Sequence, residues 1–74
     1  MTQETIIKVL AAHLDMDESE ITAETTFEDL GVDSLDAVEI MMEMEDAFGV
    51  ELKANEAGQS VSELTAYIDG KLNA

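Results

Sequence analysis

Apolar residues recur along this 74-residue chain at intervals of three and four positions rather than two. That spacing is typical of helices that each bury one face. Proline is absent, and no run alternates apolar and polar residues as a half-buried strand does. The pattern therefore predicts an all-α fold.

The first two predicted helices have recognisable boundaries. An apolar stripe places the first helix between about Thr2 and Leu14. The second and longest helix starts after Asp33, whose carboxylate can cap it, and runs through Phe48 to a stop at Gly49. A helical wheel at about 100° per residue places one group of its apolar side chains on a core face. These are Ala37, Ile40, Met41, Met44, Ala47 and Phe48.

The last predicted helix begins after Ser60. Ser60 and Glu63 have the spacing of a capping box. Residues 54–57 predict one short helical turn before this helix, ending at Gly58. The apolar face of the last helix consists of Val61, Leu64, Ile68 and Leu72.

The connection between the first two helices, residues 15–33, is longer than compact domains usually allow. Four apolar residues punctuate it and can hold it against the helices: Met16, Ile21, Phe27 and Leu30. We therefore expect an ordered loop, and a single domain that spans residues 1–74.

The charge is strongly one-sided, because 18 acidic residues face three lysines and leave a net charge of -15. Such a field repels nucleic acid and anionic membranes, and it attracts partners that present Lys and Arg. The apolar fraction of 46% is normal for a globular domain and argues against a disordered acidic tail.

The composition also limits location and chemistry. No cysteine is present, so any thiol chemistry has to come from a cofactor. There is no basic leader followed by an apolar run, and no apolar stretch of the roughly 20 residues that cross a bilayer. We expect a soluble cytoplasmic monomer.

The candidate chemistry lies in residues 29–36. Gly31 provides a turn that delivers Ser34 to the first turn of the second helix, where unpaired N–H groups and the helix dipole favour a negative group such as a phosphodiester. From its position alone, Ser34 would be an ordinary helix-start serine. Because Asp33 already supplies a capping side chain, the Ser34 hydroxyl is free to face solvent.

The motif Asp33-Ser34-Leu35 resembles the attachment motif of the acyl carrier proteins, and the resemblance covers nearly the whole chain. It implies a four-helix bundle whose motif serine, Ser34, receives 4'-phosphopantetheine from coenzyme A through a phosphopantetheinyl transferase. Asp33 and Leu35 would flank the cofactor site. Flanking residues that share the family pattern are the Phe-Glu-Asp-Leu-Gly run at 27–31, Asp36, Val38 and Glu39.

The resemblance also implies a function. A carrier of this family presents acyl thioesters to enzymes of fatty-acid or related lipid and polyketide biosynthesis, and is not itself an enzyme. The chain departs from the family after Leu52, where a proline and a run of acids often form a third helix. Residues 53–58 are shorter and less acidic, so the existence of that helix and the cargo length are both in question.

The second helix has a mixed outer face. Leu35 and Met42 lie two turns apart, nearly opposite the core face, amid acidic residues. An acidic face alone is usually a solvated surface, but two apolar residues beside Ser34 have the composition of a docking patch. The corresponding helix is the recognition helix of the family. We expect acyl-handling enzymes with basic patches to contact Leu35, Asp36, Glu39, Met42, Glu43 and Asp46.

The core side of the bundle is the candidate binding place for an acyl chain. Met41 and Met44 are most simply core residues, although a deformable interior also suits a chain that slides between helices. The candidate lining consists of Ile6, Leu10, Ile40, Met44, Phe48 and Ile68.

Other functions receive less support. Residues 31–35 resemble a Gly-Asp-Ser-Leu esterase motif only superficially, and the single histidine, His13, is more simply a partly buried helix-flank residue than a general base. The acids from Asp15 to Glu20 lack the spacing of a calcium-binding loop, and we assign no metal ligands. An acidic interaction module without a cofactor and a peptidyl or aminoacyl carrier remain alternatives.

Overall fold

The computed structural model describes residues 2–73, apart from the side chain of residue 54. Within that range it contains three α-helices: α1 (Thr2–Leu14), α2 (Ser34–Phe48) and α3 (Val61–Leu72). Two single turns of 3₁₀-helix, Glu18–Glu20 and Ala54–Glu56, lie in the connections. No helix in the described range is long and apolar enough to cross a bilayer. The predicted all-α fold is confirmed.

The four-helix expectation is not confirmed for the described residues, because the predicted short helix is only a 3₁₀ turn. The N–H of Glu56 donates to the Lys53 carbonyl at 3.0 Å, and Gly58 follows at a φ of 85°. A left-handed residue so soon leaves no room for α-helical bonds. The Tyr67 hydroxyl instead ties the turn to α3, since it accepts from the Lys53 N–H at 3.0 Å and donates to Glu56 at 3.3 Å.

The helix ends follow their predicted residues closely. The Gly49 N–H closes α2 on the Glu45 carbonyl at 2.7 Å, with Gly49 in the left-handed region at a φ of 70°. At the start of α3, the Ser60 hydroxyl accepts from the Glu63 N–H at 3.2 Å. The Glu63 carboxylate accepts from the Gln59 N–H at 3.2 Å, one residue before the partner that a capping box predicts.

The core gathers apolar residues from all three helices and from the connections. Four predicted core positions are more accessible than expected: Ala37 and Phe48 are half-buried, and Ala47 and Leu72 are exposed. Ala47 and Leu72 lie within the last two residues of their helices, where neighbouring elements no longer cover the side chains. The buried residues are Ile6, Leu10, Ala11, Ile21, Ile40, Met41, Met44, Leu52, Ala57, Val61, Leu64 and Ile68.

The long connection between α1 and α2 is ordered, as predicted. Ile21 is buried, and Met16, Phe27 and Leu30 pack against the core. Backbone bonds of 2.9 Å join the connection to the start of α3: Phe27 N–H to the Gln59 carbonyl, Val61 N–H to the Thr25 carbonyl, and Ser62 N–H to the Ala23 carbonyl.

The first 3₁₀ turn of this connection is closed by its own capping box. The Asp17 carboxylate accepts from the Ser19 N–H at 3.0 Å, and the Glu20 carboxylate accepts from the Asp17 N–H at 3.2 Å. The bonds from the Ser19 N–H and hydroxyl stabilise the charged carboxylate and lower the pKa of Asp17 from its ordinary value. The connection is therefore held both by its own caps and by α3.

Candidate functional site

The start of α2 presents Ser34 at the end of a tight turn. The Gly31 N–H donates to the Glu28 carbonyl at 3.1 Å, with Gly31 in the left-handed region at a φ of 72°. Asp33 then caps the helix, because its carboxylate accepts from the Asp36 N–H at 2.9 Å. Ser34 is the first helical residue. The capping role that the sequence assigns to Asp33 is confirmed.

The surroundings of Ser34 fit a covalently attached phosphate group. Its side chain is exposed, and no side chain within residues 2–73 hydrogen-bonds to its hydroxyl. The N–H groups of Ser34 and Leu35 have no acceptor in the same range, so they point partial positive charge at the helix start. A phosphodiester on this hydroxyl would lie beside those donors. When phosphopantetheine is bound there, the thiol at its far end would form the thioester with an acyl group.

An apolar strip crosses the outer face of α2. Leu35 is 78% exposed and Met42 is 61% exposed, although both are large apolar residues. Val38 is also exposed and lies between them along the helix. The acidic residues expected to surround the strip all reach solvent: Asp36 and, more fully, Glu39, Glu43 and Asp46.

His13 joins this acidic face from α1, a feature that the sequence analysis did not identify. Its side chain is only 17% exposed, as expected for a helix-flank residue. Its Nδ1 lies 2.5 Å from a Glu43 carboxylate oxygen, and its Nε2 lies 3.8 Å from Glu39 and 3.9 Å from Asp36. Periodicity assigned His13 and the acids to their own helices, but it carried no information on which helical faces meet.

The residues predicted to line an acyl pocket form a closed core. Ile6, Leu10, Met44 and Ile68 are 0% exposed, so no water-sized space touches them. Ile40 is also buried, and Phe48 is half-buried at the edge. A separate surface depression of about 460 Å³ lies at the end of α1 and the first 3₁₀ turn, lined by Lys8, Ala11, Ala12, Asp15, Met16, Asp17 and Glu18.

Comparison with known proteins places this chain in one class. Residues 4–68 match the family described as the phosphopantetheine attachment site. An acyl carrier protein of Streptococcus pyogenes serotype M3 is 37% identical over 68 residues, 92% of each chain. An acyl carrier protein of Streptococcus pneumoniae serotype 4 is 38% identical over 66 residues, 89% of each chain.

A solved structure shows the same architecture. The NMR structure of the HMG-ACPI domain from the CurA module of Lyngbya majuscula superposes with a TM-score of 0.82 at 31% identity, covering 92% of this chain and 71% of that one. The chain therefore belongs to the acyl carrier protein family. Its prosthetic group is 4'-phosphopantetheine, and it carries acyl groups between the enzymes of acyl metabolism.

Proposed function

We propose that Ser34 is the residue that receives 4'-phosphopantetheine, with Asp33 and Leu35 on either side of the attachment point. The observation that carries this assignment is the exposed hydroxyl of Ser34 at the first position of α2, which has no side-chain partner among the described residues. Asp33 takes the capping bond to the Asp36 N–H, which leaves the serine hydroxyl available for reaction. The Ser34 and Leu35 N–H groups then face the new phosphodiester.

Mass spectrometry of the purified chain tests this assignment. After incubation with coenzyme A and a phosphopantetheinyl transferase, we expect the chain to gain the mass of one phosphopantetheine. Ser34→Ala should abolish the gain, whereas Ser62→Ala, which removes another exposed serine at the start of α3, should retain it. Modification that persists in Ser34→Ala would place the attachment at another residue. A chain that no transferase modifies would favour a cofactor-free interaction module.

The exposed face of α2 serves as the partner-binding surface in this proposal. Leu35 and Met42 offer apolar contact, and the net charge of -15 attracts the basic patches of a transferase and of acyl-handling enzymes. The acids that surround the apolar pair place the strongest attraction beside Ser34. The contact residues we propose are Leu35, Asp36, Glu39, Met42, Glu43 and Asp46.

The acyl chain is proposed to enter the core rather than remain in solvent. Each buried methylene gains about 0.8 kcal/mol, which favours opening a core of flexible and aliphatic side chains. Phe48 is half-buried and packs against the edge of this core, to which the buried Met44 belongs. If the acyl chain enters the core, an octanoyl thioester on the carrier should hydrolyse more slowly than the same thioester on free pantetheine. Equal rates would contradict the proposed pocket. Its lining residues are Ile6, Leu10, Ile40, Met44, Phe48 and Ile68.

We further propose that the chain is a non-catalytic, cytoplasmic monomer that acts as one carrier domain over residues 1–74. The contacts of His13 support the absence of hydrolase chemistry, because its ring nitrogens face carboxylates of α2 and none of its described contacts is with Ser34. Absence of thioester hydrolysis by the loaded chain alone, and a monomer mass in analytical ultracentrifugation, are the expected results.

A further inference from the structure

We propose that His13, Asp36 and Glu39 form a binding site for a zinc-class divalent cation between α1 and α2. His13 stands at the end of α1, and the two acids lie one turn apart at the start of α2. One ligand atom from each residue lies within 4.8 Å of the other two. This trio joins side chains from two helices and does not include Ser34.

The orientation of the His13 ring exposes the nitrogen that a metal would need. Its Nδ1 lies 2.5 Å from a Glu43 oxygen, and a carboxylate can only accept, so Nδ1 bears the proton in the neutral ring. Nε2 then carries the lone pair, directed at Asp36 and Glu39. Metal-binding histidines commonly donate their second ring N–H to a carboxylate in this way, which fixes the tautomer and orients the ring.

The distances on the Nε2 side are too long for hydrogen bonds and close to those of metal-bound atoms. Nε2 lies 3.8 Å from a Glu39 oxygen and 3.9 Å from an Asp36 oxygen. Hydrogen bonds span about 2.7–3.2 Å, whereas donors about 2.1 Å from a tetrahedral zinc lie about 3.4 Å from one another. The two distances from Nε2 must shorten by roughly half an ångström to reach this geometry. The ligand oxygens of Asp36 and Glu39 lie within 4.8 Å of each other and must also approach, and their side chains are 40% and 65% exposed and therefore able to move.

The ligand set favours zinc over magnesium or calcium. An imidazole nitrogen suits zinc, cobalt and nickel, while magnesium and calcium select oxygen ligands. Three protein ligands leave the remaining coordination position to water. The general acidity of the chain attracts any divalent cation, so the contribution of His13 is what separates this site from diffuse binding.

Occupancy would change the surface next to Ser34. The cation offsets the charges of Asp36 and Glu39, two of the acids proposed to attract basic partners, and it links α1 to α2. The effect on partners rests on the function proposed above, whereas the binding of zinc does not. Zinc binding can therefore be measured on the unmodified chain, and a failure to bind zinc would not contradict the proposed modification of Ser34.

The test is a calorimetric titration of ZnCl₂ into the tag-free chain, with MgCl₂ in excess and at physiological salt to suppress diffuse binding. We expect one zinc per chain. His13→Gln and Glu39→Gln should each weaken binding about tenfold or more, and Glu43→Gln should weaken it less severely by releasing the ring. Glu51→Gln removes an exposed acid beyond the end of α2 and should change the affinity by less than about twofold.

NMR of the imidazole nitrogens gives a second measurement, because diffuse binding of cations to the acidic surface would not shift their resonances. Zinc should shift the Nε2 resonance of His13 strongly and the Nδ1 resonance little. Wild-type zinc affinity in His13→Gln, equal losses in Glu39→Gln and Glu51→Gln, or no saturable binding by the wild-type chain would each overturn the proposal. Circular dichroism of the variants confirms that a lost titration does not reflect a lost fold.

Discussion

Asp33 illustrates how one side chain both starts a helix and frees its neighbour. Its carboxylate bonds to the Asp36 N–H at 2.9 Å, so Asp33→Ala should lower the free energy of unfolding by about 1 kcal/mol. Asp33→Asn keeps a capping oxygen while it removes the charge, and should retain most of that stability. Urea unfolding of the three unmodified proteins measures both changes, and equal losses in the two variants would contradict the capping role.

A second lesson at this scale concerns Ser34. Its place after a glycine turn and a capping aspartate could be predicted from sequence, because those signals act over a few neighbouring residues. The ring of His13 shows the opposite case. Its meeting with Glu43 depends on how α1 and α2 pack, and the stripe of each helix gives its buried side without the register of one helix against the other.

At the scale of elements, α2 has a buried face and an exposed face, and a methionine on each face allows their roles to be tested separately. Met42 is 61% exposed and Met44 is fully buried. Met44→Ala should therefore cost about 2–5 kcal/mol of unfolding free energy through the cavity it leaves, and Met42→Ala should change it by no more than about 0.5 kcal/mol. Urea unfolding gives the stabilities. The steady-state kcat/KM of the transferase should fall for Met42→Ala despite its intact fold, and an unchanged value would remove Met42 from the docking surface.

The length of each segment decided whether its helix could be predicted from the sequence. Each long helix has a periodic apolar stripe, and α2 and α3 also have a capping residue, so several independent signals agree on its position. Residues 54–57 offered too few positions for a stripe. Whether such a segment becomes an α-turn or a 3₁₀ turn depends on distant contacts, here the Tyr67 hydroxyl that holds Lys53 and Glu56.

At the scale of the whole molecule, the net charge of -15 should act mainly on the rate of encounter. Glu39→Lys reverses a charge beside the apolar strip and should slow association with the transferase, by a factor that shrinks as NaCl screens the field. Stopped-flow association over a series of NaCl concentrations measures this effect.

A matched variant separates local charge from total charge. Glu24→Lys makes the same change at an exposed site in the α1–α2 connection, and should slow association less than Glu39→Lys. An equal effect of the two variants would show that the position of the charge on α2 is unimportant. A Glu39→Lys effect that does not vary with salt would contradict attraction by the electric field of the chain.

The backbone bonds between the long connection and the start of α3 have a mechanical consequence. Three amide-to-carbonyl bonds fasten these segments, whereas α2 meets α1 through side chains in the described residues. Within residues 2–73, backbone hydrogen bonds therefore join the connection to α3, whereas only side-chain contacts hold α2 against α1. If an acyl chain enters the core as proposed, we expect it to separate α2 from α1. The acyl length that the carrier accepts should then depend on how far α2 can move from α1 before the segment that ends at Ser34 is fully extended.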